Sequence, residues 1–230
     1  MRLPLTDIIK LKRERDERKH ILFLGDLFMG TQNTLLSPIV ESLKQECYCM
    51  HTPLPKGPRN AVSHVAHQCM DEGLRPDLIV AYGAAATIAC FRTGETGSGF
   101  GISIDAIHAQ EIGAIRKVLI SPYFSTSNMI ANMLPQKQFK TRIELSNLGK
   151  QEFLTLTRQM MTEYRQIEDE IYRQGIENTL TLFFSSEIDK PAYKDYVEHF
   201  GSAVVLSAEN SFSPEAPDCV ARFIRKILEV

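Results

Sequence analysis

Residues Ala81-Tyr82-Gly83-Ala84-Ala85 sit where this chain is best placed to present a nucleophile. An apolar run, Leu78-Ile79-Val80, leads into them, and small residues as far as Cys90 follow. A buried strand turning sharply into a helix is the setting in which the pattern G-x-S-x-G holds up a catalytic serine. Small residues flank such a turn because strand and helix pack almost in contact there. On this pattern Ala81 takes the first glycine, Tyr82 a free position, Gly83 the serine, Ala84 the next free position and Ala85 the last glycine. The shape is kept and the hydroxyl is missing. Tyr82 is beside the turn but has no base next to it in sequence. Thr87 and Cys90 fall one and two turns down the helix, directed away from the turn.

Other residue types capable of chemistry occur at weaker spacings. Cys47, Cys49 and His51 alternate, so on a strand they share one face. A metal site needs a second ligand pair, and none follows at a matching interval, so core thiols are the expectation there. His64 and His67 lie one helical turn apart with no carboxylate or third ligand in view, which places them at a surface or boundary. Asp105 and His108, three apart on a helix expected over 104–115, could pair as acid and base, and helix-surface pairing explains them equally well. The glycines in 92–101 lack the lysine and hydroxyl of a phosphate loop and do not directly follow a strand, so a connector is expected. No metal and no cofactor is expected from these patterns.

The elements that must position these residues read as alternating strands and helices. Buried strands are expected at His20–Leu24, Leu78–Val80, Val118–Ser121, Leu180–Phe184 and Ala203–Leu206. Parallel strands covered on both faces give such continuous apolar runs. Helical spacing appears at Leu36, Ile39, Val40 and Leu43, with Ser37-Pro38 as a start, and at Ala61, Val65, Cys69 and Met70, with Asn60 as a cap. Further helices are expected from Pro191 to His199 and over Val220, Phe223, Ile224 and Ile227. Residues 136–148 read as polar and irregular. Thr157 then caps a helix with Met160, Tyr164, Ile167 and Ile171 inward and Glu168, Asp169 and Glu170 outward. Segment 135–173 is therefore either a helical cap inserted between strands or a crossover helix with a long lead-in.

Residues 1–19 are expected to form a charged helical extension, Thr6 capping and Ile8, Ile9 and Leu11 making a thin apolar edge. A solvated extension is the plainer expectation; a homodimer contact through this helix or the cap is the sharper one. Residues 20–230 form one α/β domain, a mostly parallel sheet flanked by helices, with the insertion at 135–173. A net charge of −2 gives no reason to expect nucleic acid. No apolar run approaches the length of a membrane span. Five cysteines at irregular spacing fit reduced thiols and a cytoplasmic location.

The order of these segments over nearly all of 20–230 resembles the α/β-hydrolase superfamily, and more narrowly its small bacterial esterase-like members (the YqiA/YcfP-like group). The residues that carry the likeness are Pro53-Leu54-Pro55 before a helix, Pro76-Asp77-Leu78-Ile79-Val80 into the turn, and Val118 to Phe124 after it. Phe153 to Thr157 followed by Glu163-Tyr164, and Leu182-Phe183 before an acidic loop, add to it. In that family a serine attacks, a histidine takes its proton and an acid orients the histidine, in the chain order nucleophile, acid, base. The resemblance puts Gly83 at the nucleophile, Glu187 (or Asp189) at the acid and Asn210, in Glu209-Asn210-Ser211, at the base. Asn cannot accept and return a proton near neutral pH. The backbone amides of Leu27 and Ala84 fall at the oxyanion donors, with Asp26 beside them in a position to repel an oxyanion. The resemblance implies a triad reduced to its acid. It also implies a remnant cleft for a small-molecule ligand, lined by Asp26, Leu27, Tyr82, Gly83 and Asn210. A carboxyl-ester hydrolase with a rearranged, non-serine site is the alternative.

Overall fold

The computed structural model describes residues 17–26, 28, 35–52, 54, 57–70, 75–91, 113–135, 138–145 and 152–230. The extension expected over 6–19 (up to residue 16), Leu27, Pro53, Pro55, the glycine-rich segment, Asp105 and His108 lie outside the described residues. In chain order the elements are β1 (Lys19–Leu24), α1 (Leu36–Leu43), β2 (Cys47–Thr52), α2 (Pro58–Met70), β3 (Leu78–Tyr82), α3 (Ala85–Cys90) and β4 (Arg116–Ile120). They continue with α4 (Thr126–Met133), β5 (Lys140–Leu145), β6 (Glu152–Thr157), α5 (Arg158–Gln174), β7 (Thr179–Phe184), α6 (Pro191–Phe200), β8 (Val204–Leu206) and α7 (Ala216–Leu228).

Six strands form one parallel sheet in the order β2-β1-β3-β4-β7-β8. Alternate strand residues feed two cores. Leu22, Leu24, Ile79, Ala81 and Leu119 pack under α2, α3 and α5. Ile21, Phe23, Val80, Val118 and Ile120 pack under α1 and α7, which also touch each other. The fold class read from the sequence, a mostly parallel sheet flanked by helices with a small insertion, is the one observed. From β1 the chain moves outward to β2, then crosses back to lay β3 on the other side of β1. Where two neighbouring strands connect in opposite directions, a crevice opens beyond their carboxyl ends, and α/β proteins place ligands there. In this chain that point lies between β1 and β3.

The insertion differs from its sequence expectation. Part of the stretch read as irregular is β5, paired antiparallel with β6, Lys140 opposite Thr157 and Leu145 opposite Glu152. Its charged residues Lys140, Arg142 and Glu144 point to solvent while Leu145, Leu154 and Leu156 are buried, and this alternation with long polar residues hid the strand. Thr157 caps α5 as expected, its hydroxyl accepting from the Met160 amide at 3.1 Å. Met160, Tyr164, Ile167 and Ile171 are buried against the same core as α2 and α3, so α5 belongs to the main helical layer. Glu168 is not on the outer face: it is buried, accepting from the Ser127 amide at 3.1 Å and from the Ser127 hydroxyl. Asn60 does not precede α2 but lies in its first turn, because Pro58 supplies the fixed φ that starts a helix.

Candidate functional site

Gly83 leaves β3 at φ +59°, with its amide donating to the Ile120 carbonyl at 3.1 Å and its own carbonyl accepting from Tyr123 at 3.2 Å. The turn is thus clamped from the neighbouring β4–α4 connection. Thr87 adds a bond from its hydroxyl to the Tyr123 carbonyl at 3.2 Å and, like Cys90, is buried beneath the turn. A left-handed turn between a buried strand and a helix of small residues is the geometry that the sequence pattern implied. Only glycine adopts that φ without strain.

What stands over the turn is the side chain of Asp26, from the end of β1. Its Oδ2 accepts from the Ala84 amide at 3.2 Å and its Oδ1 from the Phe28 amide at 2.8 Å. A Cβ added at Gly83 would lie 1.8 Å from Oδ2. The carboxylate therefore fills the space a residue-83 side chain would need and occupies the Ala84 amide, which the resemblance put at an oxyanion donor. Burial raises the Asp26 pKa above the ordinary carboxylate range, while the bonds from Phe28 and Ala84 pull it back.

The two residues that the resemblance put at the acid position differ in their surroundings. Glu187 is buried in a 3-10 turn, Ser185–Glu187, that follows β7; Asp189 is exposed. Glu187 accepts from the Ser121 hydroxyl and from the Phe184 amide at 3.3 Å, with the Lys190 ammonium 3.7 Å away. Ser121 is itself at φ +45°, uncommon for a residue with a side chain. The acid thus holds a strained serine at the end of β4 where the triad logic would have it hold a histidine. Glu187→Ala would leave the Ser121 hydroxyl and Phe184 amide short of an acceptor. Such a loss costs about 1–3 kcal/mol, to be read as a lower urea midpoint; an unchanged midpoint would show the contact to be incidental.

Asn210 is spent within its own loop, its Oδ1 accepting from the Phe212 amide at 2.8 Å. The next residue, Ser211, is buried and shares a hydrogen bond with the Tyr82 hydroxyl. Burial, with the charges of Asp26 and Glu187 adding and the Ser211 bond opposing, pushes Tyr82 up to about 12. Burial raises the pKa of Tyr164 of α5, and the charges of Asp26, Glu168 and Glu163 add to it. Among the described residues, no histidine hydrogen-bonds to Asp26, Glu187 or Asn210. The structure thus brings Asp26, Gly83 and Ala84 together and places Tyr82 and Glu187 within electrostatic reach of Asp26 or each other. Leu27 lies outside the described residues. Sequence reasoning passed over Ser121, Ser211 and Tyr164 as site residues; the hydroxyl directly after the apolar run of β4 was the one available signal.

The weaker sites dissolve on the strand and helix surfaces. Cys47 is buried but His51 is exposed, so the three residues of β2 do not share one environment. Burial raises Cys49 to about 11 and Cys69 to about 12, which keeps both thiols protonated. Among the described residues, no group of three His, Cys, Asp or Glu side chains is placed to hold a metal ion. Among them too, no helix is long and apolar enough to cross a membrane.

No family model matches the chain, and no curated protein matches it. A solved structure described as the crystal structure of gox2181 is similar at 10% identity and a TM-score of 0.32, over 95% of this chain and 91% of that one. A likeness at that level carries no argument, so the functional reading depends on the site alone.

Proposed function

We propose that this chain is an α/β-hydrolase-like protein that has lost serine-hydrolase catalysis and keeps its remnant cleft for binding. The observation that carries this is the Asp26 carboxylate lying where a residue-83 side chain would be, on the Ala84 amide. An anion held there displaces both the nucleophile and the developing oxyanion from their places. The missing base at Asn210 supports the same reading, since Asn210 is engaged with its own loop.

One observation favours a second reading, a hydrolase whose serine stands elsewhere in the cleft, beside the alternative of a rearranged, non-serine site. Ser121 combines an uncommon φ with a hydroxyl bonded to buried Glu187, and strain of this kind gathers at functional positions. A fluorophosphonate probe with peptide mapping separates these readings. The expected result is no stoichiometric labelling and no turnover of p-nitrophenyl acetate above the uncatalysed rate. Labelling at Ser121 would establish a serine hydrolase whose nucleophile has moved to the end of β4, and labelling at a non-serine residue of the cleft would establish the rearranged, non-serine site; either would overturn the loss of catalysis.

A further inference from the structure

From Ser121 to Ile143 the chain carries Lys137, Lys140 and Arg142 and no carboxylate, although acids outnumber Lys and Arg by 28 to 26 over the whole sequence. The same stretch holds two large apolar residues turned to solvent. Phe139, 78% exposed, is the most exposed large apolar residue among those described, and Met133, at the end of α4, is 42% exposed. They stand on either side of one turn, in which the Gln138 amide donates to the Pro135 carbonyl at 2.9 Å.

Phe139 is fixed in that exposed place. Its carbonyl accepts from the Arg158 amide at 3.1 Å, and the Gln138 carbonyl accepts from the Arg158 Nε at 3.2 Å. These bonds set the Arg158 guanidinium 5.4 Å from the centre of the Phe139 ring. Along β5, Lys140 and Arg142 lie on the exposed face of the hairpin. Arg142 lays its guanidinium 3.8 Å from the centre of the Phe153 ring. Among the described residues, neither Lys140 nor Arg142 pairs with a carboxylate. The acids of the hairpin, Glu144 and Glu152, are at its other end, where Leu145 is opposite Glu152. A phenyl ring this exposed protrudes, whereas a site for a protein segment is a groove or a sheet edge. A protruding ring bordered by cations fits a surface with an apolar interior under a layer of anions, which is an anionic bilayer.

We propose that the α4–β5 turn docks on an anionic lipid bilayer, with Phe139 and Met133 in the headgroup layer and Lys140 and Arg142 on lipid phosphates. The contact uses none of the residues of the Asp26–Gly83 cleft and does not depend on how that cleft is read.

The sequence has no tryptophan, so Phe139→Trp places a single indole in the turn. Its emission is expected to shift to the blue on phosphatidylcholine vesicles containing about one-third phosphatidylglycerol, and not on phosphatidylcholine alone. Binding at about 0.1 M salt should be released at about 1 M, where charges are screened within about 3 Å. Phe212→Trp, in the loop after β8 where Phe212 is 67% exposed, is expected to show no shift. In flotation of the full chain, Lys140→Gln with Arg142→Gln should weaken binding by about tenfold or more, each cation at a charged membrane being worth about fivefold. Phe139→Ala should weaken it by about fivefold or more. The proposal is overturned if the chain does not float with the anionic vesicles, if it binds phosphatidylcholine as tightly, if Phe212→Trp shifts as far as Phe139→Trp, or if a folded double variant binds as the parent does. It is overturned too if binding depends on the cations but is indifferent to Phe139→Ala, which would point to an acidic protein partner. Should the double variant not fold, the two tryptophan variants on the two kinds of vesicle decide alone.

Discussion

Gly83→Ser is expected to destabilise the protein by roughly 2–5 kcal/mol, strain and overpacking acting together. The strain comes from φ +59°, a region that side chains avoid. The overpacking comes from Asp26, whose Oδ2 lies 1.8 Å from the new Cβ and is held by two backbone amides. The far end of a flexible side chain could swing away cheaply, but this carboxylate would leave two donors behind. In a chain of 230 residues the effect corresponds to a fall in Tm of roughly 5–15 °C. The two causes separate in a double-mutant cycle. In an Asp26→Gly background the collision is gone and only the strain remains, so Gly83→Ser should cost less there than in the parent. Purely additive effects would show that Asp26 and residue 83 do not compete for space. A Gly83→Ser protein melting with the parent would remove the elbow assignment itself. The serine alone should not label with a fluorophosphonate, because Asn210 supplies no base. Even Gly83→Ser with Asn210→His should fail unless Asp26 is also removed.

Glu168→Gln is expected to take away a pH dependence that the parent carries near neutrality. Burial, opposed by the bonds from Ser127 and Thr126, pushes Glu168 up from 4.5 to about 7. Between those values the folded protein holds a proton that the unfolded chain has released. Stability from this group is therefore complete below about pH 4.5 and is lost as pH rises through 7. A shift of that size corresponds to about 3 kcal/mol. Gln keeps a carbonyl for the Ser127 donors and cannot ionise. The difference in unfolding free energy between variant and parent should thus move in favour of Gln from pH 4.5 to pH 8, by about 2–3 kcal/mol. A difference that stays constant over that range, measured by urea denaturation in matched salt, would show that Glu168 is ionised in the fold at an ordinary pKa.

The fold was legible because its signals are local. Strands buried on both faces must be apolar along their length, and Leu78–Val80 and Leu182–Phe184 announce themselves without any partner in view. The Thr157 cap and the inward stripe of α5 are equally local, since helix periodicity is set by the backbone. The β5–β6 hairpin was not legible. Each strand buries part of one face, while β5 sets Lys140, Arg142 and Glu144 and β6 sets Phe153 and Thr155 on the other, and what identifies them is the pairing of each to the other. Glu168 misled for a related reason: a carboxylate on a helix reads as solvated until another element, here the start of α4, is found to bond it.

At the candidate site the sequence by itself determined that residue 83 offers no nucleophile and residue 210 no base, because a missing oxygen or imidazole is a property of residue type. It also determined that the turn at Gly83 must be tight, because small residues crowd both sides of it. Only the tertiary structure decided what took the vacant space. Asp26 and Gly83 are 57 positions apart in the chain and meet because β1 and β3 are neighbours in the sheet, with Leu24 opposite Ala81. Likewise Ser121 and Glu187 come together only because β4 pairs with β7. Strand order and register set those distances, and they arise from packing the whole sheet between two helical layers rather than from any stretch of the chain read alone.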